Sequence, residues 1–430
     1  MRPAPWVPID REAPAYDGRV SALPFDLLVA RRRRALRTLV AGVALGSTGH
    51  IAAVTVATIV AEDLTGTTAW SGAPGATVVL GAALGSTALS AVMARYGRRR
   101  GLVLGYAIGV FGALVATLAV VTRSFPLLLL GTTLIGFGNT ANHLSRYAAA
   151  DMAPAAGRAG AISTVVWGAT VGAIVGPNLV GGAGGVATSM GLPALAGAYL
   201  VPMLFVTTAG LLSFLFLRPD PFELADITPE PAGGEASAPL SQILRRPAVV
   251  VALCTLVLAQ SVMLLIMTIS PLHMATHGHG LGVVGFVMSA HTFGMYALSP
   301  IAGRLTNRFG SVPVILLGSG ILAIAAALSA AAPPDAAAPL FVALFLLGFG
   351  WNLGFVAGST LLSGGVSRAD RTRVQGLADT FVWSTGIVAS LGSGLVAAGA
   401  GYSALGLGGL ALVALLALVV FGGRGRVTAA

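Results

Sequence analysis

Lysine, cysteine and charge are all scarce in this 430-residue sequence. Every basic residue is an arginine, which excludes a P-loop nucleotide hydrolase, whose lysine contacts the phosphates, and any lysine Schiff-base chemistry. Cys254 is the only cysteine, so no disulfide forms within the chain. Charged residues make up 9% of the chain, against about 25% in soluble domains. Most of the surface must therefore lie in a solvent other than water.

Hydrophobic residues make up 56% of the chain and form long continuous runs, unlike the short alternating strands of a membrane barrel. A helix satisfies its own backbone in hydrocarbon and crosses it in roughly 20 residues. We therefore predict an all-α protein that lies in the lipid bilayer of the cell (inner or plasma) membrane and crosses it twelve times. The predicted spans are 38–60, 70–93, 101–121, 125–148, 159–182, 193–217, 248–271, 281–303, 311–332, 338–362, 375–399 and 402–422.

The net charge of +10 reflects topology, and no nucleic-acid partner is expected, because the arginines flank the predicted spans. If both termini are cytoplasmic, the outer segments hold only one arginine, Arg123. The inner segments hold Arg31, Arg32, Arg33, Arg34, Arg95, Arg98, Arg99, Arg100, Arg158, Arg218, Arg245, Arg246, Arg304, Arg308, Arg368, Arg371, Arg373, Arg424 and Arg426.

The chain divides into two predicted six-helix bundles, 37–217 and 248–422, with cytoplasmic tails at 1–36 and 423–430. The connection 218–247 is rich in proline and acidic residues, which predicts a flexible tether. A signal peptide at the start is rejected, because the polar stretch before the first span is too long.

The two halves resemble each other. Gly160-Ala-Ile-Ser-Thr-Val-Val-Trp167 matches Gly376-Leu-Ala-Asp-Thr-Phe-Val-Trp383 at an offset of 216, and Ile135-Gly-Phe-Gly138 matches Leu347-Gly-Phe-Gly350 at an offset of 212. The matches fall in corresponding spans, which indicates a duplicated bundle with a substrate site between the halves.

Two arginine-glycine segments resemble the loop motif of the major facilitator superfamily. They are Ser90-Ala-Val-Met-Ala-Arg95-Tyr-Gly97-Arg98-Arg99 and Gly303-Arg-Leu-Thr-Asn-Arg308-Phe-Gly310. The resemblance implies two bundles related by a pseudo-twofold axis, with a cavity that opens alternately to each side. It also implies a conformational latch between the halves.

The proposed latch consists of Arg95, Gly97, Arg98, Arg308, Gly310 and Asp379. In the family, an aspartate of the loop meets the start of span eleven, but Ala94 replaces it here. We hypothesise that Asp379 pairs with Arg95 or Arg98 instead. The alternative is a solvated acid at the interface.

The fifth span contains Gly168, Gly172, Gly176 and Pro177, and it resembles the antiporter motif of drug/proton exchangers. That resemblance implies export. The alternative is plain helix packing, because small residues at every fourth position let two helices approach closely. The fourth-span arginine of many family members is absent, and Thr132 or a neighbour stands there.

Titratable groups inside spans are costly and are therefore functional candidates. His50, His291 and Asp379 are the proton-coupling candidates, since histidine titrates near neutral pH. Buried neutral histidines that join helices are the alternative. The candidates for the cavity wall are Asn139, Asn142, His143, Gln260, Trp351 and Asn352. Asn139, Asn142 and His143 share one helix face, and hydrogen bonds between helices are their alternative role.

The sequence therefore favours a monomeric proton-coupled exporter of a small, largely apolar organic compound such as a drug or metabolite. No cofactor, metal site or enzymatic activity is expected. The alternatives are a proton-coupled importer of a small metabolite, a membrane enzyme, and a receptor or assembly factor that does not transport. A membrane enzyme would need clustered acids or histidines near a membrane face.

Overall fold

A computed structural model describes residues 25–152, 158–224, 239–364, 366 and 368–427. Within these ranges the chain forms α-helices and short 3-10 turns, so the prediction of an all-α protein is confirmed. The helices are α1 (Phe25–Thr65), α2 (Ala73–Tyr96), α3 (Arg98–Val121), α4 (Phe125–Asp151), α5 (Arg158–Ser189), α6 (Gly197–Phe216), α7 (Leu240–Ile243), α8 (Pro247–Met267), α9 (Ser270–Thr276), α10 (Leu281–Tyr296), α11 (Ser299–Phe309), α12 (Ser311–Ala331), α13 (Ala337–Gly364), α14 (Arg368–Ala400) and α15 (Tyr402–Val427).

Eleven helical stretches in the described ranges are long and apolar enough to cross a membrane. They match eleven of the twelve predicted spans. The twelfth is α4, whose 27 residues suffice in length but whose second half carries Asn139, Asn142 and His143. Because α4 packs between α2 and α3, we assign it as the remaining crossing.

The helices run back and forth, so Phe25 and Val427 lie at the same end of the molecule, which we call the terminal end; the opposite end is the distal end. Gly97 and Gly310 make equivalent turns at the terminal end, with φ of +94° and +86°. Only glycine adopts such φ values without strain, which explains the glycine of each loop motif.

Glycines in α4 and α13 confirm the internal repeat by their contacts. A Cβ at Gly136 would collide with the Val78 carbonyl of α2, and one at Gly348 would collide with the His291 carbonyl of α10. The buried cores of the first half are formed mainly by α1, α3, α4 and α6, with Leu272 of α9 joining one of them, and that of the second half mainly by α8, α10, α12 and α13. The halves are therefore bundles built on the same contacts.

Two predicted spans of the second half are broken helices. The seventh span divides into α8 and α9 before Pro271, and the eighth divides into α10 and α11 before Pro300. Each proline stands in the first turn of the new helix, where its missing N–H costs nothing.

The first bundle begins before its predicted boundary. The first predicted span starts at 38, but α1 starts at Phe25, because arginines are good helix formers. Nε of Arg32 donates to the Leu224 carbonyl at 3.0 Å. Of the predicted linker, residues 225–238 lie outside the described ranges, and Ile243 at its far end is fully buried.

Besides the packing of α9 on α1, the halves touch along two seams in their distal portions. The α2–α14 seam includes a backbone contact in the turn just before α2, since a Cβ at Gly72 would collide with the Ser390 carbonyl and one at Gly394 would lie 2.7 Å from the Ala69 carbonyl. The α5–α10 seam contains the hydrogen bonds described below. The gap between the halves is thus closed distally.

Candidate functional site

A chain of hydrogen bonds runs along one face of α4. The Tyr106 hydroxyl donates to Oδ1 of Asn142 at 3.1 Å, and Nδ2 of Asn142 donates to Oδ1 of Asn139 at 2.8 Å. Nδ2 of Asn139 then donates to Nε2 of His143 at 3.3 Å. Every link points the same way, so the last acceptor is an unprotonated Nε2. We call these four residues the α4 relay.

A cavity behind the α4 relay has room for about one water molecule. His50 contributes to its wall, and its Nδ1 is buried without a hydrogen-bond partner among the described residues. Gly46 lets α1 approach the relay, because a Cβ there would collide with Oδ1 of Asn142. The structure thus brings His50 together with two predicted residues of the cavity wall, Asn139 and Asn142.

The second half carries an aromatic cluster at the equivalent place. Nε1 of Trp351 donates to Oε1 of Gln260 at 2.8 Å, and both side chains are buried. The Trp351 ring stacks on Phe355 with centroids 4.8 Å apart and meets Tyr296 edge-on at 6.3 Å. Phe355 is 40% exposed. Gln260 thus holds an indole in place, and an aromatic face beside it remains exposed.

The two halves meet across the gap at His143 and Trp383. Their rings are 6.2 Å apart and lie edge to face, and both side chains are exposed. This contact shows that the last residue of the α4 relay faces α14. Trp167, the repeat equivalent of Trp383, is also exposed.

Asn352 and His291 lie inside the second bundle. Nδ2 of Asn352 donates to the Gly294 carbonyl and to Oγ of Ser299, both at 3.2 Å, so it bridges the break between α10 and α11. Nδ1 of His291 donates to the Leu344 carbonyl at 2.8 Å, and the side chain is fully buried. These contacts favour the helix-joining alternative for both residues.

The glycines of the fifth span face α1. A Cβ at Gly168 would lie 2.8 Å from the Val40 carbonyl, and one at Gly176 would lie 2.6 Å from the Thr48 carbonyl. Gly172 likewise packs against Ser47, where a Cβ would lie 2.6 Å from that side chain. Close packing of α1 on α5 accounts for this spacing within the first bundle.

Pro177 frees a backbone carbonyl at the seam between the halves. Its missing N–H leaves the Ala173 carbonyl without a helical partner, and Oγ1 of Thr292 donates to that carbonyl at 2.6 Å. Next to it, Oγ of Ser289 donates to the Ile174 carbonyl at 2.9 Å, and Nδ2 of Asn178 donates to Oγ of Ser289 at 2.7 Å. The α5–α10 seam is therefore fastened by polar groups of both halves.

Arg95 and Arg98 of the first loop motif make their contacts within the first half. Nε of Arg98 pairs with Oδ2 of Asp151 at 2.8 Å, and the Arg95 guanidinium lies over its neighbour Tyr96. A Cβ at Gly97 would lie 2.6 Å from Oδ2 of Asp220. The Asp379 side chain lies outside the described residues, so its pairing with Arg95 or Arg98 stays a prediction.

Sequence reasoning missed Tyr106, Asn178, Ser289 and Thr292. Asn178 directly follows the proline of the fifth span, and Ser289 and Thr292 are three residues apart on one face of α10. Asn178, Ser289 and Thr292 could therefore have been identified as polar residues within predicted spans. Nothing in the sequence indicated that Tyr106 would reach Asn142.

Comparison with known proteins agrees with this architecture. The family model described as Major Facilitator Superfamily matches residues 38–282 and 251–428. The chain is 36% identical over 385 residues to the uncharacterized MFS-type transporter YdeG of Bacillus subtilis, covering 89% of this chain and 90% of the relative. It is 28% identical over 391 residues to the riboflavin transporter RfnT of Brucella anthropi, covering 88% of this chain and 92% of that one.

A solved structure shares the fold. It is that of a bacterial homolog of the human lysosomal transporter Spinster, in an inward-facing and occupied conformation. The TM-score is 0.69 at 16% sequence identity, and the match covers 91% of this chain and 96% of that chain.

Proposed function

Because the chain belongs to the Major Facilitator Superfamily and is a multi-pass membrane transporter, we propose that it exports a small, neutral, flat organic compound in exchange for protons. The contact between His143 and Trp383 across the gap carries the proposal. It joins an imidazole, which binds and releases protons, to an aromatic face that a flat substrate would stack on.

The composition of the wall supports a neutral substrate. The α4 relay offers an amide and an imidazole, and the second half offers Phe355 and Trp383, all without a formal charge when His143 is neutral. The relative named a riboflavin transporter supports a flat heterocycle, since the isoalloxazine ring of riboflavin is planar. Riboflavin is therefore the first probe to test.

The direction of the α4 relay supports a coupling role for His143. Protonation turns its Nε2 into a donor that faces the Nδ2 donor of Asn139. The amide of Asn139 must then turn, which breaks its bond from Asn142. His50 lies beside the relay with an unpartnered Nδ1, so it is the second coupling candidate.

The bacterial relatives support a bacterial plasma membrane, and the arginine distribution supports an orientation with the terminal end in the cytoplasm. In that orientation the distal closure faces outward and the gap faces the cytoplasm. The motif resemblance at Gly168, Gly172, Gly176 and Pro177 supports export.

Everted membrane vesicles test the proposal. With an acidic interior, we expect riboflavin fluorescence to accumulate inside the vesicles and proton release to accompany it. His143→Gln should bind the probe but only equilibrate it. Accumulation with an alkaline interior instead would establish import, and an unchanged pH dependence in His143→Gln would contradict the coupling role.

A further inference from the structure

Two arginines converge on one phenyl ring at the terminal end of α3 and α6. Nε and Nη2 of Arg99 donate to the Phe214 carbonyl at 3.0 and 2.7 Å, and the Arg99 guanidinium lies 4.8 Å from the centroid of the Phe214 ring. The Arg218 guanidinium lies 5.3 Å from the same centroid. The ring thus holds two like charges close together.

These charges are incompletely balanced by the protein. Arg99 is repelled by Arg218 and Arg100 and attracted by Asp220. However, Asp220 uses its two oxygens to accept the backbone N–H groups of Arg98 and Arg99, at 3.1 and 2.9 Å, which caps the start of α3. Like charges at this spacing favour a bound anion.

The cluster lies where a lipid headgroup would lie. Leu204, Leu211 and Leu215 on α6 are 65%, 53% and 53% exposed, as expected of a face in hydrocarbon. On the adjacent α3, Leu104 and Phe111 are also exposed. An apolar surface long enough for an acyl chain therefore ends at three arginines.

We propose that Arg99, Arg100 and Arg218, positioned by Phe214, bind the phosphate of an anionic phospholipid whose acyl chains cover α3 and α6. The site belongs to the first half alone. After the equivalent turn at Gly310, the chain reads Ser-Val-Pro where Arg98, Arg99 and Arg100 follow Gly97.

Native mass spectrometry of the purified protein, titrated with phosphatidylglycerol or phosphatidylcholine, tests this proposal. We expect Arg100→Gln/Arg218→Gln to bind phosphatidylglycerol about thirtyfold more weakly, since each arginine near an anionic headgroup contributes about a factor of five. Neither the Arg100 nor the Arg218 side chain donates a hydrogen bond to the described residues, so the double variant should still fold. The matched control Arg304→Gln/Arg308→Gln removes the same charge at the same end and should bind like the wild type.

Phe214→Leu distinguishes binding at a positioned arginine cluster from nonspecific attraction to positive charge, because it keeps every arginine. We expect it to weaken phosphatidylglycerol binding severalfold and to leave phosphatidylcholine unaffected. Equal binding by the Arg100/Arg218 variant and its control would overturn the proposal. Full displacement of the lipid by inorganic phosphate would also overturn it, since the site would then take a free anion.

Discussion

The same repeat positions carry opposite chemistry in the two halves. Asn139 corresponds to Trp351 (351 − 139 = 212) and His143 to Phe355 (355 − 143 = 212), at the offset of the glycine match that precedes them. In the first half the pair is a hydrogen bond beside a water-sized cavity; in the second it is an aromatic stack sealed by Gln260. The duplicated bundle thus supplies one wall suited to protons and one suited to a flat apolar surface.

The largest effect should follow from breaking the scaffold that the two walls share. Gly136→Val and Gly348→Val each push a side chain into a carbonyl of the adjacent helix. Overpacking costs about 1–3 kcal/mol or more, so we expect both variants to lose the monodisperse peak in size-exclusion chromatography.

Gly354→Ala is the matched control for these glycines, because its Cβ would lie 3.5 Å from Ala259, an ordinary contact. A wild-type elution profile for either valine variant would contradict the equivalence of the two scaffolds.

The next largest effect should be a difference in stability between variants of the two walls, because the walls are buried to different extents. Gln260→Leu leaves the indole N–H of Trp351 buried without an acceptor, which costs about 1–3 kcal/mol. Asn139→Leu should cost less, because a water in the adjacent cavity can replace the lost partner of Asn142. Thermal unfolding of the two purified variants checks the order, and an equal or larger loss for Asn139→Leu would refute it.

The aromatic residues should govern affinity rather than stability. Trp383→Leu and Phe355→Leu remove exposed rings, and a stacking contact contributes about 0.5–1.5 kcal/mol, so binding of a flat ligand should weaken by up to about tenfold. Quenching of flavin fluorescence measures it. Trp70→Leu, an exposed tryptophan at the distal end, is the control and should leave binding unchanged.

The smallest effect should come from removing one hydrogen bond of the α5–α10 seam. Thr292→Val removes the donor to the Ala173 carbonyl, which is worth about 1 kcal/mol, or about fivefold in the ratio of distally closed to distally open molecules. Spin labels at Met190→Cys and Asp335→Cys, in a Cys254→Ser background, report this ratio as a distance distribution. An unchanged distribution would show that the bond does not hold the seam.

Much of the architecture was predictable, because arginines at span ends and runs of apolar residues follow directly from the membrane as solvent. The shared face of Asn139, Asn142 and His143 was predictable from helical spacing alone. The reach of Tyr106 to Asn142 was not, because it depends on how far α3 is rotated and how deeply it sits against α4. Pro177 indicates a free carbonyl at Ala173, but the identity of its donor was not predictable, because it depends on how α10 of the other half packs against α5.

The glycine contact between α14 and the turn before α2 bears on how quickly the molecule changes state. Where Gly72 and Gly394 bring two main chains together, no long side chain has to leave one rotamer and find another as the halves tilt. Such a contact separates and re-forms without side-chain repacking. The resistance to distal opening should therefore reside in the α5–α10 seam, and the rate of turnover should be far more sensitive to changes there than to isosteric changes at the glycine contact.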